Sequence, residues 1–480
     1  MTPQSRRRFL QMAGAASVAP LGCAPRKAAP PNILYLIVDD LGFDLGCYGG
    51  TQIQTPNLDR LAAEGMRFTE AYSGCSVCAP ARSTLMTGTH MGHTPVRRNS
   101  GGVSLTGDFT TVASLLSANG YRCGGFGKWG LGDLDTPGVP EKHGFERFFG
   151  YYHQVHAHYF YPEYLIDTGR KAGLPENRGA YGHDGPKAPQ QPFPAKNPLT
   201  GETLTFSHYR IVEEMKKFIR DNRGGPFFCY APWTPPHGRF EIPESDPAWT
   251  LYKDKPWSMQ ARIYAAYTTM VDRHAGEVLG LLKELDLDDN TAVFFSSDNG
   301  AADQYPGELD SAGLFRGQKT TMYEGGLRLP FLARWPGRFA PGSQSDLPIY
   351  FPDFLPTAAA IAGVEPDVPQ ALDGISLLPE LTGTEKLPRE RPMYWEWNQG
   401  HFAPYEVHMQ AHRHGKWKIV RHGAATPWEL YDLSEDPSEK NDLAAAHPEI
   451  VQRMDAWVAR NRVDPPEQVE PDKPEGQRWR

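Results

Sequence analysis

The sequence contains neither an apolar run long enough to cross a bilayer nor an internal repeat. Its six cysteines among 480 residues are ordinary usage for this length and indicate no disulfide framework. Acidic and basic residues are interspersed and the formal net charge is only -8, which argues against a nucleic-acid-binding surface. These absences speak against a repeat protein, a disulfide-stabilised scaffold and a protein with a nucleic-acid partner.

Glycine and proline are plentiful, with 48 and 44 residues, as is usual for an enzyme that has many loops. The chain is long enough to bury a large core and to form one large domain with a smaller companion. We therefore expect a sizeable, loop-rich enzyme.

The N-terminal residues have the features of a targeting segment and are set apart from the fold prediction. Residues 5–11 read Ser-Arg-Arg-Arg-Phe-Leu-Gln, which matches the twin-arginine export pattern, and a weakly apolar stretch of alanine and glycine follows. We predict a signal segment at 1–30 and a periplasmic or otherwise exported protein; a disordered basic tail is the alternative. Cys23 after Gly22 also suggests a lipid anchor and a membrane-anchored lipoprotein, although Pro20 stands where such cleavage sites normally have leucine.

Strand-like and helical segments alternate along the first three quarters of the chain. Apolar runs that end in polar residues predict buried strands at 32–38, 226–231 and 291–296. Helical periodicity is present at 208–222 and 260–285. The alternation predicts a large, mixed, mostly parallel α/β sheet flanked by helices, with its site at the carboxyl edge of the strands.

The pattern changes after residue 365, where short strands and turns replace the alternation. Strands are indicated at 392–397, 414–420 and 428–433, and helical spacing at 441–462. We predict a catalytic domain at 31–365 and a C-terminal α+β subdomain at 366–480, made of a small antiparallel sheet and a helix. Residues 163–202 are rich in proline, glycine and lysine without periodicity, which predicts a long loop near the site.

One short motif carries more chemical information than the rest of the chain, and it reads Cys78-Ala79-Pro80-Ala81-Arg82. The proline suits the first turn of a helix, whose N-terminus attracts anions and would stabilise a thiolate. The arginine one turn further on can bind a tetrahedral oxyanion through its guanidinium group. Composition alone gives about 0.06 chance matches to this spacing of cysteine, proline and arginine. A redox pair with Cys75 or a buried structural cysteine are the alternative interpretations.

With the trailing Leu85-x-Thr87-Gly88, this stretch resembles the signature of the type I, formylglycine-dependent sulfatases, which are arylsulfatase-like members of the alkaline phosphatase superfamily. The resemblance implies an alkaline phosphatase-like fold and a hydrolase acting on a sulfate ester. It further implies that Cys78 is oxidised to formylglycine by a formylglycine-generating or sulfatase-maturating enzyme. The expected substrate is a sulfated carbohydrate, in keeping with sulfated polysaccharide degradation.

Oxygen donors follow two of the predicted strands. Asp39 and Asp40 come after the first strand, and Asp298 and Asn299 come after another. Alone, each pair is a common turn or helix-cap sequence, but together they offer only oxygen ligands, which suit a hard cation. The resemblance implies that these four residues and residue 78 bind one divalent ion. Ca²⁺ accepts six or seven oxygens in irregular geometry more readily than Mg²⁺, which is the alternative.

Several cationic groups match the sulfate-binding residues of the family. Lys128, Lys319 and His237 lie in glycine- or proline-rich contexts at the family's spacing. The resemblance therefore implies a catalytic set of Cys78, Arg82, Lys128, His237 and Lys319. In the expected reaction Asp298 is the candidate base for the nucleophile, the cations neutralise the sulfuryl oxygens, and His237 or Lys319 protonates the departing alkoxide.

The sequence departs from the family pattern at Gly130, where the family usually has the histidine of a Lys-Trp-His run. We predict that one of His153, His156 and His158 takes over its role. The alternative is that these histidines shape the sugar pocket or pack in the interior. Spacing places His156 and His158 on one face if the segment is a strand.

Further candidates for substrate contacts are His156, His158, Arg98 and Asn99, with Arg97 beside them. A zinc site at His90 and His93 is disfavoured, because no thiolate or carboxylate accompanies them at ligand spacing.

Two other functions compete with a sulfatase. A phosphonate or phosphodiester hydrolase of the same superfamily would use a similar site, since phosphate and sulfate share a shape. An inactive surface protein that binds sulfated glycan is favoured only by the missing histidine at position 130.

The formylglycine hypothesis predicts the mass of one peptide. Peptide mass spectrometry of active enzyme is expected to show residue 78 lighter than cysteine by about 18 Da. Cys78→Ala should abolish turnover, whereas Cys75→Ala should keep substantial activity because that thiol has no part in the reaction. Full activity with only an unmodified thiol at position 78 would rule the hypothesis out.

Overall fold

The computed structural model describes residues 30–99, 104–180, 191–302, 305, 307–397, 409–423 and 425–464. The predicted signal segment, except for residue 30, lies outside these residues, as do Cys23 and the tail from 465 onward.

Strands and helices alternate through most of the described chain. The strands are β1 (Asn32–Asp39), β2 (Met66–Phe68), β3 (Ala71–Tyr72), β4 (Arg122–Lys128), β5 (Arg147–Tyr151), β6 (Tyr164–Asp167), β7 (Arg170–Gly173), β8 (Phe227–Pro236), β9 (Thr291–Ser297), β10 (Phe331–Arg334), β11 (Ser343–Ser345), β12 (Ile349–Tyr350), β13 (Pro392–Trp397), β14 (Met409–His414), β15 (Trp417–Arg421) and β16 (Glu429–Asp432). The α-helices are α1 (Pro56–Ala63), α2 (Cys78–Thr87), α3 (Val112–Ala118), α4 (Ser207–Asp221), α5 (Pro247–Tyr252), α6 (Met259–Glu284), α7 (Glu324–Leu327), α8 (Phe354–Ala362), α9 (Leu378–Thr382) and α10 (Pro448–Asn461).

Ten strands form one mixed sheet in the order β11-β2-β10-β9-β1-β8-β4-β5-β6-β7. The central strands β9, β1, β8, β4 and β5 are parallel to one another. β10 and β6 pair antiparallel on either side of them. The predicted mixed, mostly parallel sheet is confirmed.

The centre of the sheet is covered by helices on both faces. Along β1, Ile33, Tyr35 and Ile37 pack into one apolar cluster, with residues of α2, α3 and α8. The alternate residues of β1 pack into a second cluster, with residues of α4 and α6. Every residue of β1 is buried, which explains why this strand is a continuous apolar run without polar alternation.

The carboxyl ends of the parallel strands deliver polar residues to one edge of the sheet. β1 ends at Asp39, β4 ends at Lys128, and β8 ends one residue before His237. Because β1 lies between β8 and β9, the residues that follow these strands come together at the same edge. The sequence prediction for the position of the site rests on the same rule.

The C-terminal part contains an antiparallel sheet in the order β13-β14-β15-β16, with α10 packed against β14. This sheet also contacts the segments before and after helix α2. Trp395 donates a hydrogen bond from Nε1 to the carbonyl of Ser73 (2.7 Å), and Glu396 forms a buried ion pair with Arg97 (3.0 Å). The predicted sheet-and-helix architecture is present, while the boundaries at 365 and 366 stay predictions.

Three local expectations were wrong. Residues 163–202 are not a continuous loop, because β6 and β7 form a hairpin that extends the large sheet. The expected strand at 414–420 crosses a turn at Gly415, whose φ of 61° suits a residue without a Cβ. The last helix begins at Pro448 in place of 441, since proline suits a first helical position.

Among the described residues, no helix combines the length and apolar character required to cross a membrane.

A buried ionic cluster joins the C-terminal sheet to the segment that follows Lys319. Lys418 of β15 lies 2.8 Å from Glu324 and 2.9 Å from Glu439, and all three side chains are fully buried. Glu324 also accepts a hydrogen bond from Arg328 (2.7 Å). Burial alone would raise the pKa of Glu324, but the charges of Lys418 and Arg328 outweigh it and lower the pKa to about 2. Lys418 therefore keeps a buried carboxylate ionised at the start of α7.

Removing Lys418 should destabilise the protein strongly. Lys418→Met leaves two buried carboxylates without their shared cation, which is expected to lower the free energy of unfolding by about 3–5 kcal/mol in urea denaturation. Lys416→Met is the matched control. That lysine is half exposed and pairs with Asp432 near the surface, so its loss should cost less than about 1 kcal/mol. Equal, small losses in both variants would contradict the structural role of Lys418.

Candidate active site

Helix α2 presents Cys78 at its first position and Arg82 one turn later, as predicted. The residue before the helix, Val77, has no side chain that can cap it. The N–H of Ala79 donates instead to the side-chain oxygen of Asn99 (3.0 Å). All ten residues of α2 are buried, and Gly88 ends the helix with a φ of 70°. Cys78 forms no disulfide with Cys75, whose Sγ contacts the carbonyl of Glu396 (3.5 Å).

Arg82 and Lys128 bind the first of the predicted metal ligands. Arg82 contacts Asp39 directly and Asp298 at 3.3 Å, and it donates to the carbonyl of Lys128 (2.6 Å). Lys128 Nζ lies 2.6 Å from Asp39 Oδ2. All four side chains are fully buried, so the carboxylates and cations neutralise one another inside the protein.

Lys319 and His237 surround the second carboxylate. Lys319 Nζ donates to both oxygens of Asp40 (2.6 and 2.8 Å) and to Cys78 Sγ (3.4 Å). His237 Nδ1 lies 3.0 Å from Asp40 Oδ2. Asp40 has a φ of 62°, which turns the chain sharply at the end of β1. All five predicted catalytic residues thus lie at one site with the predicted ligands.

The oxygen donors fit a divalent cation. Asp39, Cys78 and Asp298 each offer a ligand atom, and these atoms lie within 4.8 Å of one another. Asn299 donates through Nδ2 to Asp40 (2.8 Å) and to the carbonyl of Gly300 (2.9 Å), which fixes its amide. Its buried Oδ1 has no hydrogen-bond partner among the described residues. A buried, oriented and unpaired oxygen beside two carboxylates is the donor that a hard cation would use.

The charges of the site determine which groups are ionised. Burial raises the pKa of Asp39, but Arg82 and Lys128 outweigh it and hold the pKa well below its usual value. Burial and the charge of Asp39 raise the pKa of Asp298. Two adjacent carboxylates therefore have pKa values that are displaced in opposite directions, a pattern typical of catalytic sites.

The expected stabilisation of a Cys78 thiolate was wrong. Burial, followed by the negative charge of Asp298, raises the pKa of Cys78 to about 12. These two effects exceed the influence of Lys128 and Lys319, which lower the pKa. The protein groups alone therefore keep Cys78 as a thiol, which fits a residue that acts only after modification.

His237 and Lys319 differ in charge although they share a partner. Burial and the positive charges of Lys319 and Lys128 lower the pKa of His237 well below its usual value. Burial also lowers the pKa of Lys319, but the charge of Asp40 more than compensates and raises it. Near neutral pH, His237 is thus neutral and Lys319 is positively charged.

Two of the three histidines of the 153–158 segment, His156 and His158, have different surroundings. Residues 156–158 form a 3₁₀ turn, so the expected strand-like alternation of His156 and His158 was wrong. The His156 ring packs against Tyr151 (5.1 Å between centroids) and Tyr164 (4.8 Å). The His158 ring contacts His237 at 4.5 Å between centroids, which brings it to the site.

Gln154, which the sequence analysis did not single out, is the neighbour of Gly130. A Cβ on Gly130 would lie 2.7 Å from Gln154 Oε1, and Arg82 Cδ would be 3.9 Å away. Atoms of the three histidines are not among the three nearest to this point. The only available signal was that Gln154 lies between two of the histidines in the sequence.

Of the predicted substrate contacts, Asn99 and Arg98 lie next to the site, whereas the neighbouring Arg97 binds other parts of the protein. Asn99 accepts hydrogen bonds from Ala79 and from Gln154 Nε2 (3.0 Å each), so it supports the helix that carries Cys78. Arg98 is half buried beside it. Arg97 points its donors at protein acceptors, among them Glu396 and the carbonyl of Gly92 (2.7 Å), and therefore has a structural role.

A carboxylate does accompany His90 and His93, contrary to the sequence analysis. Asp373 lies 3.5 Å from His90 Nε2 and 2.9 Å from His93 Nδ1. The N–H of Gly92 donates to His90 Nδ1 (3.0 Å), so the neutral ring carries its proton on Nε2 and points it at Asp373. A protonated nitrogen is not a metal ligand, and the three residues form a hydrogen-bonded clasp between two loops.

A mixed α/β sheet with acids, cations and a helix N-terminus at its carboxyl edge defines a hydrolase for tetrahedral oxyanion esters. The chain belongs to the Sulfatase family, whose profile matches residues 31–364, and it is a sulfuric ester hydrolase. A second profile, N-sulphoglucosamine sulphohydrolase, C-terminal, matches residues 312–463.

Two curated relatives that the chain resembles are sulfatases. It is 35% identical to Arylsulfatase A of Homo sapiens, over 89% of this chain and 87% of the relative. It is 35% identical to N-acetylgalactosamine-6-sulfatase of Homo sapiens, over 76% of this chain and 68% of the relative. The crystal structure of Ps i-CgsB in complex with k-i-k-neocarrahexaose is similar with a TM-score of 0.76 and 25% identity, covering 94% of this chain and 97% of that one.

Proposed function

We propose that this sulfatase hydrolyses the sulfate ester of a carbohydrate through a formylglycine at position 78 and a bound divalent cation, Ca²⁺ in preference to Mg²⁺. The position of Cys78 carries the proposal. Its sulfur lies 3.4 Å from Lys319 Nζ, and Lys319 in turn binds Asp40. Residue 78 is thus in reach of both the acidic cluster and the cationic groups.

A formylglycine would supply, as its hydrate, one hydroxyl to attack sulfur and a second to expel sulfate by C–O cleavage. The oxygen atoms of Asp39, Asp40, Asp298 and Asn299 would hold the cation, which would polarise the attacking oxygen and neutralise charge. A serine at this position would lack the second hydroxyl and would be trapped as its sulfate ester.

The chain's own residues divide the remaining tasks. Asp298, whose pKa is raised by burial and by Asp39, is placed to accept the proton of the attacking hydroxyl. Arg82 and Lys128 hold Asp39 in place and, with Lys319, provide positive charge for the sulfuryl oxygens. Lys319, which is positively charged near neutral pH, donates the proton that the departing alkoxide needs, whereas the neutral His237 contacts Asp40.

The carbohydrate assignment is supported by relatives whose names refer to sugars. One is named N-acetylgalactosamine-6-sulfatase, and one similar structure is a complex with k-i-k-neocarrahexaose. In this chain we assign direct substrate contacts to His158 and Arg98. His156 and Asn99, which the sequence also suggested as substrate-binding residues, would support these two residues without contacting the substrate themselves.

The proposal includes maturation and location. A formylglycine-generating or sulfatase-maturating enzyme would modify Cys78, and the twin-arginine pattern at 5–11 favours an exported or periplasmic enzyme. A lipid anchor at Cys23, which would hold the exported enzyme at a membrane, is the alternative to a free periplasmic enzyme.

A side-by-side assay tests the proposed function. Protein with formylglycine confirmed by mass spectrometry is expected to have a higher kcat/KM for nitrophenyl sulfate than for a nitrophenyl phosphodiester. On a panel of defined sulfated mono- and oligosaccharides, at least one should be turned over. Cys78→Ala should lower kcat by at least about 10⁴-fold, because it removes the nucleophile.

The other outcomes identify the competing functions. Faster turnover of the phosphodiester would show a phosphodiester hydrolase. No turnover of any compound, with formylglycine confirmed, would favour an inactive protein that binds sulfated glycan.

A further inference from the structure

We propose that Gln154, held by Asn99, occupies the space that a side chain at position 130 would fill, and that its Oε1 accepts a hydrogen bond from a hydroxyl group of hydrated residue 78. The inference rests on the proposed formylglycine chemistry. It replaces the expectation that a histidine of the 153–158 segment takes this role.

The backbone brings Gly130 and Gln154 together and leaves room for only one side chain. The N–H of Trp129 donates to the carbonyl of Tyr151 (2.8 Å), and that of Gly130 donates to the carbonyl of Tyr152 (3.1 Å). A Cβ on residue 130 would lie 2.7 Å from Gln154 Oε1, which is closer than real Cβ atoms approach. The φ of 76° at Gly130 also disfavours any side chain there. Gln154 therefore fills this space.

Hydrogen bonds fix which end of the Gln154 amide points inward. The N–H of Ala79 can only donate, so the atom of Asn99 that faces it is the oxygen Oδ1. The same Oδ1 receives the hydrogen bond from Gln154, so Gln154 must offer its Nε2 there (3.0 Å). Its Oε1 is then directed away from Asn99, towards Gly130 and the Arg82 side chain.

That oxygen has no hydrogen-bond partner among the residues that the structure describes. Gln154 is 4% exposed, and its Oε1 is buried without a hydrogen bond among the described residues. Since buried polar atoms are almost always paired, such an atom marks a place where a ligand or a modified residue completes the hydrogen bond.

The partner of Oε1 must be a hydrogen-bond donor, and the described residues of the unmodified protein supply none. A sulfate group offers only acceptor oxygens and cannot pair with Oε1. Hydrated formylglycine carries two hydroxyls, and residue 78 adjoins Ala79, the residue that Asn99 and Gln154 hold. An amide that accepts from one hydroxyl would orient it without taking its proton, because the amide does not titrate near neutral pH.

Gln154→Leu is the informative variant, because it removes the amide and fills a similar volume. Its kcat for nitrophenyl sulfate and for a sulfated sugar should both fall about 10²-fold, with little change in KM. The unfolding midpoint in urea should decrease only slightly, since the variant loses the single hydrogen bond from Nε2 to Asn99 while the lost Oε1 was unpaired. Gln344→Leu, on an exposed edge strand, is the matched control and should keep both properties.

Gln154→His provides a second readout. A histidine at this position can titrate, and burial with nearby cations should lower its pKa as it does for His237, so the pH profile of kcat should gain a limb on the acid side of pH 6.5 that Gln154→Leu lacks. Formylglycine content should be measured in every variant, so that loss of modification is not mistaken for loss of the hydrogen bond.

The inference would be overturned by unchanged kcat in Gln154→Leu, or by a loss of stability with unchanged kcat, which indicates a structural role alone. A loss confined to the sugar substrate would instead assign Oε1 to a sugar hydroxyl and also overturn it. Failure of the proposed function looks different: the wild type itself would then lack sulfatase activity or formylglycine.

Discussion

The active site depends on the mutual neutralisation of buried charges at the end of β1. Asp39 and Asp298 are fully buried, and they can stay so only because Arg82 and Lys128 are buried with them. Removing one partner from such a cluster typically costs about 3–5 kcal/mol, since the remaining charge has no water to solvate it. The sheet supplies the carboxylates, whereas α2 and the end of β4 supply the cations. Fold and site are therefore stabilised by the same contacts.

The same principle explains why the C-terminal sheet matters for a site that it does not line. Lys418 pairs with Glu324 at the start of α7, and the carbonyl of Gly326 in that helix accepts from the N–H of Gly300 (3.1 Å). Gly300 follows the ligand Asn299, and the N–H of Gly325 donates to the carbonyl of Arg316 near Lys319 (2.8 Å). The C-terminal ionic cluster thus fixes both loops that bring an oxygen donor and a cation to residue 78.

Sequence reasoning located those parts of the site that are tied to strand ends or to a local motif. Asp39 and Asp298 follow buried apolar runs, and the spacing of Cys78 and Arg82 fits one helical turn, while Lys128 was indicated by the family resemblance. Contacts between distant segments gave no such signal. The pairing of Gly130 with Gln154 depends on how two loops lie side by side, and Asp373 meets His90 across 283 residues. The pKa of Cys78 was misjudged because its burial and the neighbouring carboxylates, which raise the pKa and outweigh the nearby lysines, are revealed only by the folded chain.

The most direct measurement is a calcium titration by calorimetry of enzyme that has been stripped of metal, with sulfatase activity followed in parallel. We expect chelation to inactivate the enzyme, one Ca²⁺ to bind per chain, and activity to return with occupancy at least as well as with Mg²⁺. Asp298→Ala should abolish binding, while Asp373→Asn, in the clasp with His90 and His93, should preserve it. Full activity without metal, recovery only with Zn²⁺, or binding lost in Asp373→Asn and kept in Asp298→Ala would contradict the site.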